Sequence, residues 1–281
     1  MSYHTPLLLL TKVIILLLYC LSDVHGITEY YVKQRKLDNT SCPGEPCHTL
    51  NYFASNTHNA WSDVVVRFLP GNHSLNWSLY ISSNSNLHLI TFHPVTSIQD
   101  LSVNIHCSSN ANFHFYNISN LTIDGLSFYN CGSNNQGTLY LQHVINFWVD
   151  YIKIQSWRTY TNDAIHIKNG FGKSVISHSQ FSCDVSVQYW NAIDNQLTIT
   201  QSIFKGSTLD IRLTDLKNIT LLIEISENVF ISSRWNAIIN YLHADQSTAT
   251  AHIRNCLVIG SMGSGLHFEL GQNHSKLQLT M

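Results

Sequence analysis

Seven aromatic side chains, Trp148, Trp157, Tyr160, Tyr189, Trp190, Trp235 and Tyr241, stand in a chain otherwise rich in Asn, Gln, Ser and Thr. A flat ring beside oriented amides is the chemistry of sugar recognition. The ring face stacks on a pyranose while the amides bond its hydroxyls. On this ground Trp157, Tyr160, Tyr189, Trp190 and Trp235 are the candidate ligand-binding residues. The competing use for any single ring is to fill the core or cover a corner.

Two other residue types bring their own chemistry. Asparagine followed by x-Ser/Thr is a glycan acceptor in a secreted chain, and the pattern occurs at Asn39, Asn72, Asn76, Asn117, Asn120, Asn218 and Asn273. Seven cysteines include Cys20, which lies in the apolar leader described below; without it the count is even, as a disulfide framework in an oxidising compartment requires. Cys42 and Cys47 bracket the turn Pro43-Gly44-Glu45-Pro46 and are expected to bond. The 16 histidines are scattered singly and no zinc spacing accompanies the cysteines, so neither a metal nor a cofactor is expected.

The leader is the apolar run Pro6–Tyr19, broken only by Thr11 and Lys12 and followed by Val24-His25-Gly26. It fits a secretory signal peptide cleaved near Gly26. The run is short of the ~20 residues of a spanning helix, and no later segment approaches that length. The remainder is only weakly charged, 11% of residues with a net charge of −2, which provides no basic face for nucleic acid.

The elements that must position these side chains repeat. An apolar anchor followed five residues later by a second apolar residue occurs six times: Ile123–Phe128, Val149–Ile154, Ile176–Phe181, Ile199–Phe204, Ile225–Phe230 and Ile253–Val258. Successive anchors are 26, 27, 23, 26 and 28 residues apart. Alternating apolar residues precede each anchor, as in a half-buried strand. A second short strand follows in most repeats, at Thr138–Gln142, Ala164–Lys168, Leu209–Leu213, Ala237–Tyr241 and Leu266–Leu270. A period of this kind whose units cannot bury their own apolar face defines a solenoid.

The expected fold is all-β, a single-stranded right-handed parallel β-helix. Residues 1–26 are the signal peptide, and 27–60 a cap with a short helix over Thr49–Ser55. Residues 61–281 form the β-helix, with irregular early coils to about 115 and six near-regular coils after. Anchors should stack in one interior column and the +5 residues in a second. Arg158–Asn162 and Asp184–Asn191 read as excursions on the tolerant corner. Cys107 and Cys131 lie about one coil apart and are expected to bond, leaving Cys183 and Cys256 as buried thiols. Leu279 reads as a seventh anchor cut short, as in a fragment of a longer product.

The run Ser41–Leu50, then Val64–Phe68 and Leu69-Pro70-Gly71-Asn72-His73, resembles the start of many secreted right-handed β-helix proteins. Ile118-Ser119-Asn120-Leu121-Thr122-Ile123-Asp124-Gly125-Leu126-Ser127-Phe128 is similar to a pectin-lyase-like repeat. Large extracellular proteins of this kind are found in sponges and other simple animals. The superfamily includes polygalacturonases, whose Asn-Thr-Asp-Gly strand has its nearest match in Thr161-Asn162-Asp163-Ala164. One coil on stands the lone Asp184, and no Gly-His-Gly or Arg-x-Lys follows. Inverting hydrolysis needs two carboxylates across one bond. Asp163 lies 14 residues after Val149 and Asp184 lies 8 after Ile176, which predicts different faces. Lyase chemistry would need clustered acids for calcium, and the acids here are dispersed. The expectation is therefore a non-catalytic extracellular recognition or structural module. Its partners would be extracellular carbohydrate or a matrix or cell-surface protein. The alternative is a carbohydrate-active enzyme, a polysaccharide lyase or glycoside hydrolase.

Overall fold

Strand by strand, side chains alternate between the inside and the outside of a tube. In Asn120–Asp124, Leu121 and Ile123 are fully buried while Asn120, Thr122 and Asp124 face outward. The next strand, Leu126–Tyr129, is reached through a single residue, Gly125, with φ of 75°. That left-handed residue turns the chain sharply, so Ile123 and Phe128 both point inward from different walls. The third wall is Leu139–Gln142, after which the chain returns to the first at Asn146–Asp150.

The computed structural model describes residues 28–33, 47–52, 63–82, 86–108, 111–132, 137–155, 163–189, 195–217, 220–233, 237–245, 248–263, 265–270 and 276–281. These form a parallel β-solenoid of three sheets. Sheet A has 11 strands, and sheets B and C have 8 each. Every coil contributes one strand to each in turn, so the expectation of two strands per repeat is corrected to three. The anchor and its +5 partner read as one strand because only one or two residues separate their walls.

Both expected columns are present. On sheet A, Ile123, Val149, Ile176, Ile199, Ile225 and Ile253 are register partners on successive coils. On sheet B the same holds for Phe128, Ile154, Phe181, Phe204, Phe230 and Val258, of which all but Val258, 37% exposed on the last coil, are buried. Phe204 and Phe230 stack with ring centroids 4.6 Å apart. Burying one such phenyl ring contributes about 2–3 kcal/mol, so the stacked columns are the main source of stability.

Three expectations are corrected. Leu279 pairs with Ala251, not with Ile253, because the last interval is 28 residues and puts the anchor position at Met281. Asp184–Asn191 is not an excursion throughout, since Val185–Tyr189 is a strand of sheet C between Ile165–Gly170 and Leu209–Lys217. The cap is largely strand where described: Thr28–Lys33 pairs with Val64–Phe68, and Cys47–Thr49 pairs outside it. Only residues 50–52 of the expected helix are helical, and 53–55 lie outside the described residues, as does the signal segment. In the early coils Val64–Phe68, Gly71–Leu75 and Leu79–Ser82 already take the three walls, and a long passage separates Thr91 from Val103.

The Cys107–Cys131 disulfide forms as expected, joining neighbouring coils with Cα atoms 4.8 Å apart. Cys183 is a buried thiol, but Cys256 is only half-buried because the last coil has one neighbour instead of two. Cys42, with the side chain of Cys47, lies outside the described residues.

Candidate functional site

One corner breaks the regularity of the tube and makes a cleft. Between Thr91 and Val103 eleven residues intervene, where the other passages from sheet A to sheet B take one or two. Pro94 cannot continue a ladder. Beyond it the short 3-10 helix Ile98–Asp100 is capped by Ser97, whose hydroxyl accepts from Gln99 N at 3.2 Å. This excursion turns Ile98, Gln99 and Leu101 toward the outer face of sheet B. The coil above must accommodate it. A Cβ on Gly125 would stand 2.7 Å from Thr91 Cγ2 and 2.9 Å from Val95 Cγ2, so glycine is required there for space as well as for its φ.

The cleft encloses about 360 Å³, within the range of small-ligand sites. Its floor is a column of outward residues on four successive coils: Ser127, Lys153, Gln180 and Ile203. Tyr129 closes one side. Its ring stacks on His106 at 5.0 Å and 15°, and Lys153 Nζ sits 5.9 Å from its centroid. These contacts hold the ring as a fixed plate. The lining thus combines an aromatic face, two amides, one hydroxyl, one ammonium group and aliphatic walls, and none of its side chains is a carboxylate. An aromatic face beside amides and a hydroxyl is chemistry that suits a polyhydroxylated ring.

Carboxylates lie instead at the corner between sheets A and B. Asp124 and Asp150 are register partners on adjacent coils. Asp150 Oδ1 accepts from Ser177 Oγ at 3.0 Å and is 2.8 Å from His178 Nδ1, whose ring stacks on Tyr151. Asp124 Oδ1 is buried with no partner. Burial first, and repulsion from Asp150 second, push the Asp124 carboxyl up to about 6. This pair shapes a corner and does not face the cleft.

The two acids singled out from sequence stand elsewhere. Asp163 Oδ2 is 2.8 Å from His166 Nδ1 on the outer face of sheet C. Asp184 Oδ1 accepts from Thr208 N of the next coil at 2.6 Å. Ala164 N donates to Asp184 O, so the two acids are one position out of step on adjacent coils. Each is engaged by a different partner. Trp157, Tyr160, Trp190 and Trp235, with the side chain of Tyr189, lie outside the described residues, as do Asn39, Asn218 and Asn273. Asn72, Asn76 and Asn117 are exposed. Asn120 is half-buried in an amide ladder, accepting from Asn146 Nδ2 at 3.0 Å while its own Nδ2 donates to Asn86 Oδ1.

The cleft residues were not singled out from sequence. Tyr129 does carry a signal: it follows Phe128 of the second column directly and must therefore point outward from the same strand. The excursion that walls it shows only as an unusually long gap between two apolar strands.

No protein-family model and no curated protein matches the chain. Among the described residues, no helix is long and apolar enough to cross a membrane. Among the same residues, no three His, Cys, Asp or Glu side chains are grouped to hold a metal ion.

Proposed function

We propose that this chain is a secreted, N-glycosylated recognition module that binds carbohydrate in the cleft on sheet B. The observation that carries the reading is the Tyr129 plate, fixed by His106 and Lys153 and flanked by the amides of Gln99 and Gln180. A ring held before the ligand arrives loses little conformational entropy on binding, and the amides set orientation. The regular coils serve as a rigid frame beneath it. The apolar leader and exposed sequons support an extracellular setting, where sugars are the abundant polyhydroxylated ligands.

The reading is tested by screening the purified protein on an array of extracellular glycans, then measuring affinity by calorimetry. Tyr129→Ala is expected to weaken binding by about tenfold or more, equivalent to about 1.4 kcal/mol, with an unchanged circular dichroism spectrum. Binding that ignores this substitution would reject the cleft as the site. Secretion is tested in parallel: the mature chain should begin just after Gly26 and lose mass on glycan removal.

A further inference from the structure

From the outer face of sheet C, opposite in role to the cleft, we infer a second site: Ser186, His166 and Asp163 form a nucleophile, base and orienting acid for hydrolysis of small acyl esters. The inference does not depend on the carbohydrate reading. It rests on register. Along Ile165–Gly170, Ile165 and Ile167 are buried and His166 points outward. Along Val185–Tyr189, Val185 and Val187 are buried and Ser186 points outward. His166 and Ser186 are register partners on adjacent coils, one sheet spacing of ~4.8 Å apart.

The polar contacts complete the arrangement. Asp163 Oδ2 lies 2.8 Å from His166 Nδ1, with side-chain exposures of 28% and 22%, so both are sheltered yet reachable. An aspartate accepting from Nδ1–H fixes the tautomer that leaves the Nε2 lone pair free to take a proton. Ser186 Oγ and His166 Nε2 are not hydrogen-bonded to each other here; as register partners one sheet spacing apart they come within reach by rotation of the serine side chain, as catalytic pairs do when substrate binds. Tyr140, only 7% exposed, packs its ring 5.2 Å from that of His166 and limits its rotation. On the far side of Ser186 is Asp210, whose charge is met by Arg212. Two residues along, Lys168 is the register partner of Gln188 on the coil that carries Ser186, which puts one cation, Lys168, on the His166 side, while Arg212 is engaged by Asp210.

The chemistry balances with water as the only co-reactant. Ser186 Oγ bonds to the acyl carbon as its proton passes to His166 Nε2. The bond from that carbon to the leaving alkoxy oxygen then breaks, and the alcohol departs with the proton from His166. Water adds to the acyl-serine, giving its proton to His166. The Oγ–acyl bond then breaks, returning the proton to Ser186 and releasing the carboxylic acid.

The test uses the full secreted chain. A fluorophosphonate probe followed by peptide mass mapping should label Ser186. An aryl acetate should be hydrolysed with an initial burst of one phenolate per chain. Ser186→Ala should abolish both. His166→Gln and Asp163→Asn should each slow labelling at least about tenfold, with circular dichroism and melting unchanged because all three side chains face outward. Failure of the folded protein to label at Ser186 overturns the inference. So does labelling that His166→Gln leaves undiminished, or aryl acetate turnover that survives Ser186→Ala.

Discussion

Two corners of the same tube behave differently. From sheet A to sheet B the chain turns through one left-handed residue in coil after coil: Gly125, Tyr151, His178, Gln201, Glu227 and Asn255, with φ between 44° and 75°. From sheet B to sheet C it takes three residues between Phe181 and Val185 but nine between Gln155 and Ile165. The first corner is fixed by what lies inside it. Ser179, Ser202 and Asn228 are buried just past the turn. Ser179 N donates to Ser202 Oγ at 3.2 Å and Ser202 N to Asn228 Oδ1 at 2.9 Å. In these coils, a turn whose amides are satisfied by the coil above cannot change length without orphaning a buried donor; the eleven-residue passage between Thr91 and Val103 lies on the same corner but outside this ladder. Among the described residues the second corner shows isolated bonds, such as Thr208 N to Asp184 Oδ1, rather than a ladder running from coil to coil, and it leads into the face that carries Asp163, His166 and Ser186.

The contrast can be broken most severely at Gly125. Gly125→Ala adds both left-handed strain and a clash with Thr91 and Val95, and should cost about 2–3 kcal/mol in urea unfolding. Gly206, at φ of 66° on the other corner, meets nothing within 4 Å, so Gly206→Ala should cost only about 1 kcal/mol. Equal losses would remove the distinction between the corners.

Next in size is the buried ladder. Asn228→Ala strands Ser202 N and the Ile199 carbonyl, and should cost about 2 kcal/mol by the same measurement. A loss below about 0.5 kcal/mol would mean that the ladder does not hold the corner.

A smaller effect is set by pH. Burial pushes the folded Asp124 carboxyl up to about 6, above the ordinary aspartate value of 3.8. The proton is held more tightly in the folded state, so this stabilisation is complete below about pH 4 and lost as pH rises through 6. The loss should be on the order of 1 kcal/mol, given partial exposure. Asp124→Asn should flatten the difference in melting temperature between pH 4.5 and 7.5; an unchanged slope would assign that dependence to other groups.

The smallest effect belongs to the tolerant corner. Three extra Gly/Ser residues in the connection between Tyr129 and Leu139 should change stability by less than about 0.6 kcal/mol. The same insertion between Tyr151 and Ile152 should prevent cooperative melting.

The solenoid was legible because its two apolar columns recur at a near-constant period, and burial imposes that period directly. The third wall was partly hidden. Tyr151, His178, Gln201 and Glu227 occupy a conformation that sequence reasoning assigns to Gly or Asn, so no turn signal separated sheet A from sheet B. Coil-to-coil hydrogen bonding sets those residues' backbones, as in the donation of Gln201 N to Ser226 O at 3.2 Å. The Cys107–Cys131 bond was readable from spacing alone. The cleft was not, because its floor is assembled from outward residues one coil apart, and nothing local distinguishes Lys153 or Gln180 from any other exposed polar residue. Asp163 was noticed, but its link to Ser186 exists only through register.

The Cys107–Cys131 staple also gives the protein a mechanical character. Its hydrogen-bond ladders run along the tube, so a pull on the two ends loads them lengthwise and should peel the chain away coil by coil in small, repeated steps. The covalent link locks the loop between its cysteines, a sequence separation of 24, out of that extension. In a single-molecule pulling trace, reduction should therefore lengthen the fully extended chain by roughly 80 Å. A tether with a withheld length would give before it breaks, one coil at a time, and hold some reserve until its surroundings turned reducing.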